Sequence, residues 1–313
     1  MTLPTVTLFH GDCIDLAHHV AVSSIDLAYL DPPFTVGTEF RARTKKGETR
    51  AHGASAGPVA YTDKYASTQS FVSWLEERVR VIHGLLSPSG ALWLHLDQRA
   101  IHESKIMLDA VFGRDAFRGE VIWVPGNGAK ARKSLPMTHQ TLLAYAKGET
   151  FTWNYKEDVL REPFAETSQK MHFQRKDADG RHYRERIVGG KAYRYFADKG
   201  RALGSVWTDC PAMVCNTPLR KETTGYPTQK PLRLLERIVR ACSRVGDRVL
   251  DPFAGSGTTL EASFLAGRHA IGCDVGELSL KLCQQRLVNA GAKPSVTRIG
   301  LNRTRTRRVK KSP

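Results

Sequence analysis

Several features are missing from this chain, and each absence removes a class of protein. No apolar run approaches the roughly 20 residues of a membrane-spanning helix, and the opening Met1-Thr2-Leu3-Pro4-Thr5-Val6 is not a cationic-then-apolar leader. The expectation is a soluble, cytoplasmic protein with no membrane partner. Cysteine is scarce, six in 313 residues, with no C-x-x-C pair and no histidine at finger-like spacing. Cys210 and Cys215 form the one close pair. Structural or free thiols in a reducing compartment fit better than a zinc centre, and no metal is expected. There is no internal repeat. Acidic residues are also short: 31 Asp+Glu face 47 Lys+Arg, a formal net charge of +16. An excess of that size favours a polyanion, and without a basic amphipathic anchor nucleic acid is preferred over a membrane surface. What remains is 41% hydrophobic and 25% charged, enough for a packed core.

Apolar segments alternate with loops as in an α/β chain. Val6–Phe9 reads as a strand ending at His10-Gly11-Asp12. Ile25–Leu30 reads as a mostly apolar strand stopping at Asp31-Pro32-Pro33-Phe34, since neither proline can donate to a ladder. Residues 35–66 read as one long loop, Gly- and Ala-rich, with Arg41, Arg43, Lys45, Lys46 and Arg50 clustered. Phe71, Leu75, Val79, Ile82 and Leu86 then form one helical stripe, which Pro88-Ser89-Gly90 is expected to end before a strand over 91–96. A helix near 99–112 and strands near 120–124 and 140–146 continue the alternation. From about 150 to 205 the composition shifts to Arg, Lys, Tyr, Phe and Gly with little aliphatic periodicity. That stretch is either an irregular solvated insertion or a module facing nucleic acid, where cations meet phosphates and planar groups meet bases. The segment 296–313 reads as a basic, disordered tail.

Two short segments carry chemistry. The first is a strand, then Asp251-Pro252-Phe253-Ala254-Gly255-Ser256-Gly257, then a helix from Thr258, then a strand ending at Asp274. Glycines at a strand–helix turn let a ligand approach the backbone, and an acid closing the next strand can accept from both hydroxyls of a ribose. The pattern is neither G-x-G-x-x-G nor a phosphate loop, so a nucleoside cofactor without a polyphosphate fits, S-adenosyl-L-methionine being the common one. A tight turn without a ligand is the competing reading. The second segment is Asp31-Pro32-Pro33-Phe34 at a strand's carboxyl end. One carboxylate oxygen of Asp31 and the Pro32 carbonyl can each accept a hydrogen of a planar amine, which would aim the nitrogen lone pair at a methyl donor. Phe34 offers a ring face for stacking. The competing reading is a capping carboxylate beside a core phenylalanine.

Together these segments resemble those of the amino-methylating DNA methyltransferases. Asp31-Pro32-Pro33-Phe34 looks like their catalytic D/N/S-P-P-Y/F/W motif, and Asp251 to Thr259 is similar to their D-P-F-x-G-S-G-T-T cofactor motif. Pro227-Thr228-Gln229-Lys230-Pro231 resembles their P-T-Q-K-P element. His10-Gly11-Asp12-Cys13 and His139 to Gly148 match weaker landmarks. The order, catalytic motif first and cofactor motif last, is that of the β class. The resemblance implies a Rossmann-like S-adenosylmethionine-dependent methyltransferase fold in circularly permuted order, with a mostly parallel sheet and helices on both faces. It implies one domain built from 1–149 and 206–295, with 150–205 as a target-recognition insertion. It implies catalytic roles for Asp31, Pro32, Pro33 and Phe34. Cofactor contacts are implied for Asp12, Cys13, Asp31, Lys230, Asp251, Phe253, Gly255, Ser256, Gly257, Thr258 and Asp274. Lys230 is expected near the cofactor carboxylate, a surface cation being its alternative, and Tyr145 is expected in the core rather than walling the base pocket. Asp at position 31 usually accompanies adenine N6 methylation in the family, and Ser cytosine N4. Phe34 where Tyr is commoner loses a hydroxyl, and Asp274 where Glu is common shortens the reach.

The implied partner is double-stranded DNA, with Arg41, Arg43, Lys45, Lys46, Arg184, Arg186 and Arg194 as expected contacts and the 35–60 loop as a mobile flap over it. Pairing into a homodimer and a companion restriction endonuclease are left open by the resemblance. Cytosine N4 methylation, a catalytically inactive DNA-binding protein of the same fold, and an RNA substrate are the rival functions.

Overall fold

A computed structural model describes residues 3–33, 38–41, 59–63, 65–126, 134–213 and 222–300. Among the described residues nine strands share one sheet. In chain order they are β1 (Val6–His10), β2 (Ile25–Leu30), β3 (Leu86–Leu96), β4 (Phe117–Trp123), β5 (Gln140–Ala146), β6 (Val206–Trp207), β7 (Arg248–Asp251), β8 (His269–Asp274) and β9 (Ser295–Arg298). Their spatial order is β6-β4-β5-β3-β2-β7-β8-β1-β9. From β3 to β9 every neighbour runs parallel. Only β5 opposes its neighbours, β3 and β4.

Distant parts of the sequence meet at the middle of this sheet. β2 and β7 pair through Leu27–Val249 and Ala28–Leu250, all four buried. Strands apolar on both faces settle only where helices cover both faces. α1 (Thr68–Leu85) and α2 (Ile101–Phe112) cover one, where Phe71, Leu75, Val79 and Ile82 pack with Phe9, Leu30 and Leu250. α1 starts at a reciprocal cap, Ser67 Oγ accepting from the Ser70 N–H at 3.1 Å and Ser70 Oγ from the Ser67 N–H at 3.0 Å. Leu8, next to Phe9, faces the other cluster, with Leu260, Leu280 and Leu287. This single-residue alternation lets one strand serve two cores.

Residue contacts divide the chain into Met1–Trp153 with Val206–Pro313, and Asn154–Ser205. The smaller unit holds α3 (Glu166–His172) and a three-stranded antiparallel sheet of Arg175–Lys176, His182–Val188 and Lys191–Phe196. It is therefore ordered rather than irregular. Gly189 and Gly190, both at positive φ (57° and 78°), make the two-residue turn of its hairpin, a conformation that suits strand twist and favours glycine. Its buried apolar groups are few, Leu160, Phe173 and Tyr183. In the larger unit α4 (Leu232–Cys242), α5 (Thr258–Leu265) and α6 (Glu277–Asn289) complete the helices.

Three expectations are corrected. Pro88-Ser89-Gly90 does not separate helix from strand. β3 runs through it, with Leu86 opposite Ile25 and the register slipping before Ala91 opposite Leu27. An irregularity of this kind is where a strand tolerates proline. Residues 35–66 contain an antiparallel pair, Thr38–Arg41 with Val59–Asp63, where one loop was expected. The expected tail also starts too early, because Ser295–Arg298 extends the sheet beside β1 and the Ile299 N–H donates to the His10 carbonyl. Residues 301–313 lie outside the described ones.

Candidate active site

β2 delivers Asp31 and β7 delivers Asp251 to the same edge of the sheet, because the two strands are parallel neighbours. A cavity of about 170 Å³ opens there. Asp31, Pro32 and Pro33 line it from the turn after β2, and Asp12 and Cys13 from the helical turn after β1. Asp251, Phe253, Gly255, Ser256, Thr258 and Asp274 line it from the β7–α5 turn and β8, and Lys230 from the segment before α4. Residues expected at the catalytic and cofactor positions are thus brought together across two hundred positions.

Each carboxylate is held differently. Both oxygens of Asp31 face Lys230 Nζ, at 2.7 and 2.5 Å. Burial pushes the Asp31 carboxyl up, and the ammonium opposes that. Asp251 accepts the Phe253 N–H at 3.0 Å, and burial pushes its carboxyl up to about 7. Asp274 accepts the Gly255 N–H at 2.8 Å on one oxygen and the Gly276 N–H at 2.7 Å on the other. It therefore fixes the glycine turn as well as ending β8. Burial raises its carboxyl, and those backbone donors counteract the rise. Asp12 accepts the Ile14 N–H at 3.1 Å and pairs with Arg78 at 2.5 Å.

Gly255 adopts φ +49°, and a Cβ there would lie 3.2 Å from the Tyr226 ring. Tyr226 is itself anchored by a 3.0 Å hydrogen bond from Ser279 Oγ. Gly257 stands between Ser256 and Thr258, which line the cavity, and has a packing role of its own. At φ +78°, its Cβ would sit 2.5 Å from Cys283 Sγ, so this glycine lets the turn pack on α6. Lys230 is not a surface cation: it is buried, with its ammonium held by both Asp31 oxygens at the cavity. Tyr145 is a core residue, donating to Asp109 Oδ1 at 2.6 Å beside Phe112 and Phe117.

Sequence reasoning missed Trp74, Arg78, Tyr29 and His95. The Arg78 guanidinium stacks 4.0 Å from the Trp74 ring, which packs 5.8 Å from Phe253. The Trp74-x-x-x-Arg78 spacing along α1 was the one available trace. Tyr29 lines the cavity and hydrogen-bonds His95 Nδ1 at 2.7 Å, both rings buried. Burial holds the phenol well above its ordinary pKa and the imidazole well below its own. No local motif announces that pair.

Of the expected DNA contacts, the Arg184 guanidinium lies 5.0 Å from the Phe173 ring, and Arg194 bonds Glu185 at 3.0 Å. Arg186 stands beside Tyr193, its cross-strand partner in the hairpin. Arg41 lies in a strand, but its side chain is outside the described residues, as are Phe34, Arg43, Lys45 and Lys46.

A family model described as DNA methylase, that of the N6/N4 methyltransferases, matches residues 25–285. This chain belongs to the N6/N4 DNA methylase family. The chain is 26% identical over 301 residues to the type II methyltransferase M.EcaI of Enterobacter cloacae, covering 83% of this chain and 64% of that protein. It is 24% identical over 283 residues to the DNA adenine methyltransferase YhdJ of Escherichia coli, covering 90% and 82%. Among solved structures, a Thermus thermophilus protein described as a DNA modification methylase, in complex with S-adenosyl-L-methionine, aligns with a TM-score of 0.56 at 18% identity over 95% of this chain and 99% of that one. The cytosine-N4-specific PvuII DNA methyltransferase aligns with a TM-score of 0.58 at 14% identity, over 91% and 87%. The methylase fold is therefore the Rossmann-like one of S-adenosylmethionine-dependent methyltransferases, and that compound is the family's methyl donor.

Proposed function

We propose that this methylase transfers a methyl group from S-adenosyl-L-methionine to the N6 amino group of adenine in double-stranded DNA. The observation that carries the reading is the adjacency of Asp31 and Asp251 at the ends of neighbouring parallel strands, in one cavity. The residues present suit the donor. Four carboxylates and two cations, Arg78 and Lys230, line the cavity, an excess of acid that matches a ligand carrying a sulfonium and an ammonium against one carboxylate. Trp74 and Phe253 supply ring faces for its adenine.

The residues that would hold the donor are Asp12, Cys13, Phe253, Gly255, Ser256, Thr258 and Asp274, with Lys230 as the cation for its carboxylate. The donor supplies a methyl group on a good leaving group. The protein's own work is on the acceptor. A base inside a duplex cannot reach the cavity, so it is flipped out at a cost of roughly a few kcal/mol. Stacking on Phe34 returns about 1–3 kcal/mol of that. Asp31 accepts one amino hydrogen and the Pro32 carbonyl the other, which fixes the nitrogen and turns its lone pair toward the donor. As the nitrogen gains positive charge, Asp31 stabilises it without having removed a proton beforehand, and the methylated nitrogen then releases one hydrogen as a proton to solvent while the donor leaves as the neutral thioether. Asp rather than Ser at position 31 supports adenine over cytosine. Cytosine N4 methylation is the second reading, favoured by the fold likeness to the PvuII enzyme.

Incubating the protein with DNA and methyl-labelled donor, digesting to nucleosides and weighing them tests both. N6-methyladenine is the expected product. N4-methylcytosine would transfer the chain to the second reading, and DNA binding without label incorporation would make it a catalytically inactive relative.

A further inference from the structure

The ion pair between Lys230 and Asp31 is the feature of the site that this mechanism does not absorb. Lys230 Nζ lies 2.7 and 2.5 Å from the two Asp31 oxygens, with side-chain exposures of 8% for the lysine and 19% for the aspartate. The other cation of the cavity, Arg78, is committed to Asp12 at 2.5 Å. Lys230 is therefore the counter-ion that lets the Asp31 carboxylate remain ionised in a buried site. The same contact conflicts with the chemistry asked of Asp31. An ammonium on both oxygens competes with an amino hydrogen for the same acceptor. It also cancels the negative charge that is to face a nitrogen becoming positive.

The surrounding segment is built to aim this lysine while letting its stem turn. Gln229 Oε1 accepts from the Thr224 N–H at 2.9 Å, and Gln229 Nε2 donates to the Glu222 carbonyl at 3.0 Å. Thr228 is held at φ +60°, a strained conformation for a β-branched residue. The segment is fixed next to a side chain with a flexible four-carbon stem, so the ammonium can change partner without moving the chain.

We propose that Lys230 is an exchangeable counter-ion: it guards Asp31 in the ligand-free protein and passes to the carboxylate of the bound methyl donor, which releases Asp31 for the base. Binding is then ordered, donor before base, and an extruded base meets an available acceptor only when a methyl group is in place. This rests on the cofactor site proposed above.

The exchange has a signature in equilibrium binding that needs no turnover. In the full-length protein, affinity for S-adenosyl-L-methionine is measured by calorimetry in the wild type, Asp31→Asn, Lys230→Met and the double variant. Lys230→Met should weaken binding about tenfold, the loss of a charge-assisted contact, while the decarboxylated donor analogue binds it no more weakly than wild type. Lys230→Arg, which keeps the cation, should restore most of the affinity. Asp31 and the donor compete for one ammonium, so Asp31→Asn should favour binding about fivefold more when Lys230 is present than in the Lys230→Met background. The double variant removes both charges and so avoids stranding a buried one. A cycle that shows no coupling, or coupling of opposite sign, overturns the exchange and leaves a permanent ion pair. Failure of the folded wild type to bind the donor at all would instead sink the cofactor assignment beneath it.

Discussion

Lys230 and Arg78 each meet a carboxylate with 8% of the side chain exposed, and Arg237 meets Asp209 with 2%. The larger unit also carries exposed pairs, Arg80 with Glu76 and Arg233 with Asp209, but in Asn154–Ser205 the exposed kind prevails: Arg175 and Arg194 share Glu185 while 64% and 57% exposed, and Arg201 meets Glu162 at 61%. The two regions use the same kinds of ion pair for different ends. A buried pair is expensive to break unless each partner gains a new one, because a partner left alone is charged and dry. A pair in water is held weakly, and its cation can trade carboxylate for phosphate. The core composition follows the same division, with aliphatic clusters on both faces of the large sheet but, among the described residues, only Leu160, Phe173 and Tyr183 as buried apolar side chains in the small unit.

Substitutions can break or sharpen that contrast. The largest effect is expected at Asp31. Asp31→Ala should lower methyl incorporation about 10²–10³-fold or more, measured as label transferred to DNA, and a near-normal rate would remove Asp31 from the mechanism. Next is Asp251. Its carboxyl is pushed up to about 7 by burial, while the unfolded value is near 3.9. Between these values the folded protein holds the proton more tightly, so this contribution to stability is complete below about pH 4 and lost as pH rises through about 7. Asp251→Asn should therefore lose less stability than wild type between about pH 5 and pH 8, by on the order of a few kcal/mol in urea unfolding. Parallel curves would show that burial does not perturb this group.

Gly257→Ala comes third. A methyl group 2.5 Å from Cys283 Sγ at φ +78° should cost about 1–3 kcal/mol by denaturation, with the cavity-lining residues untouched. The smallest effects belong to the exposed hairpin. Arg186→Ala should weaken DNA binding several-fold and reduce the salt slope by about 1, with no shift in the unfolding midpoint. Tyr193→Ala should weaken binding without changing the slope. A loss of stability in either variant would mean that this face is structural and erase the contrast between the units.

Much of the site was legible as local pattern. Proline pairs cannot extend a strand and glycines mark a close turn, so Asp31-Pro32-Pro33 and Asp251 to Thr258 stood out and indeed line one cavity, Gly257 apart. The hairpin signal at Gly189-Gly190 was present but lay among charged residues, where aliphatic alternation is absent. Pro88-Ser89-Gly90 misled because the same residues that stop a helix also build an irregular strand. The packing of Gly257 on Cys283 of α6 could not be read from spacing, because the two lie on separate elements.

By itself the sequence determined that a methyl-transfer pair of motifs exists, in which order, on a basic chain, because those properties reside in residue type and short spacing. Only the tertiary structure decided that β2 lies beside β7, that Lys230 closes on Asp31, and that Trp74, Arg78, Tyr29 and His95 join the site. Pairing across the sheet and burial of charge depend on which distant segments share a layer, and no window along the chain contains both partners.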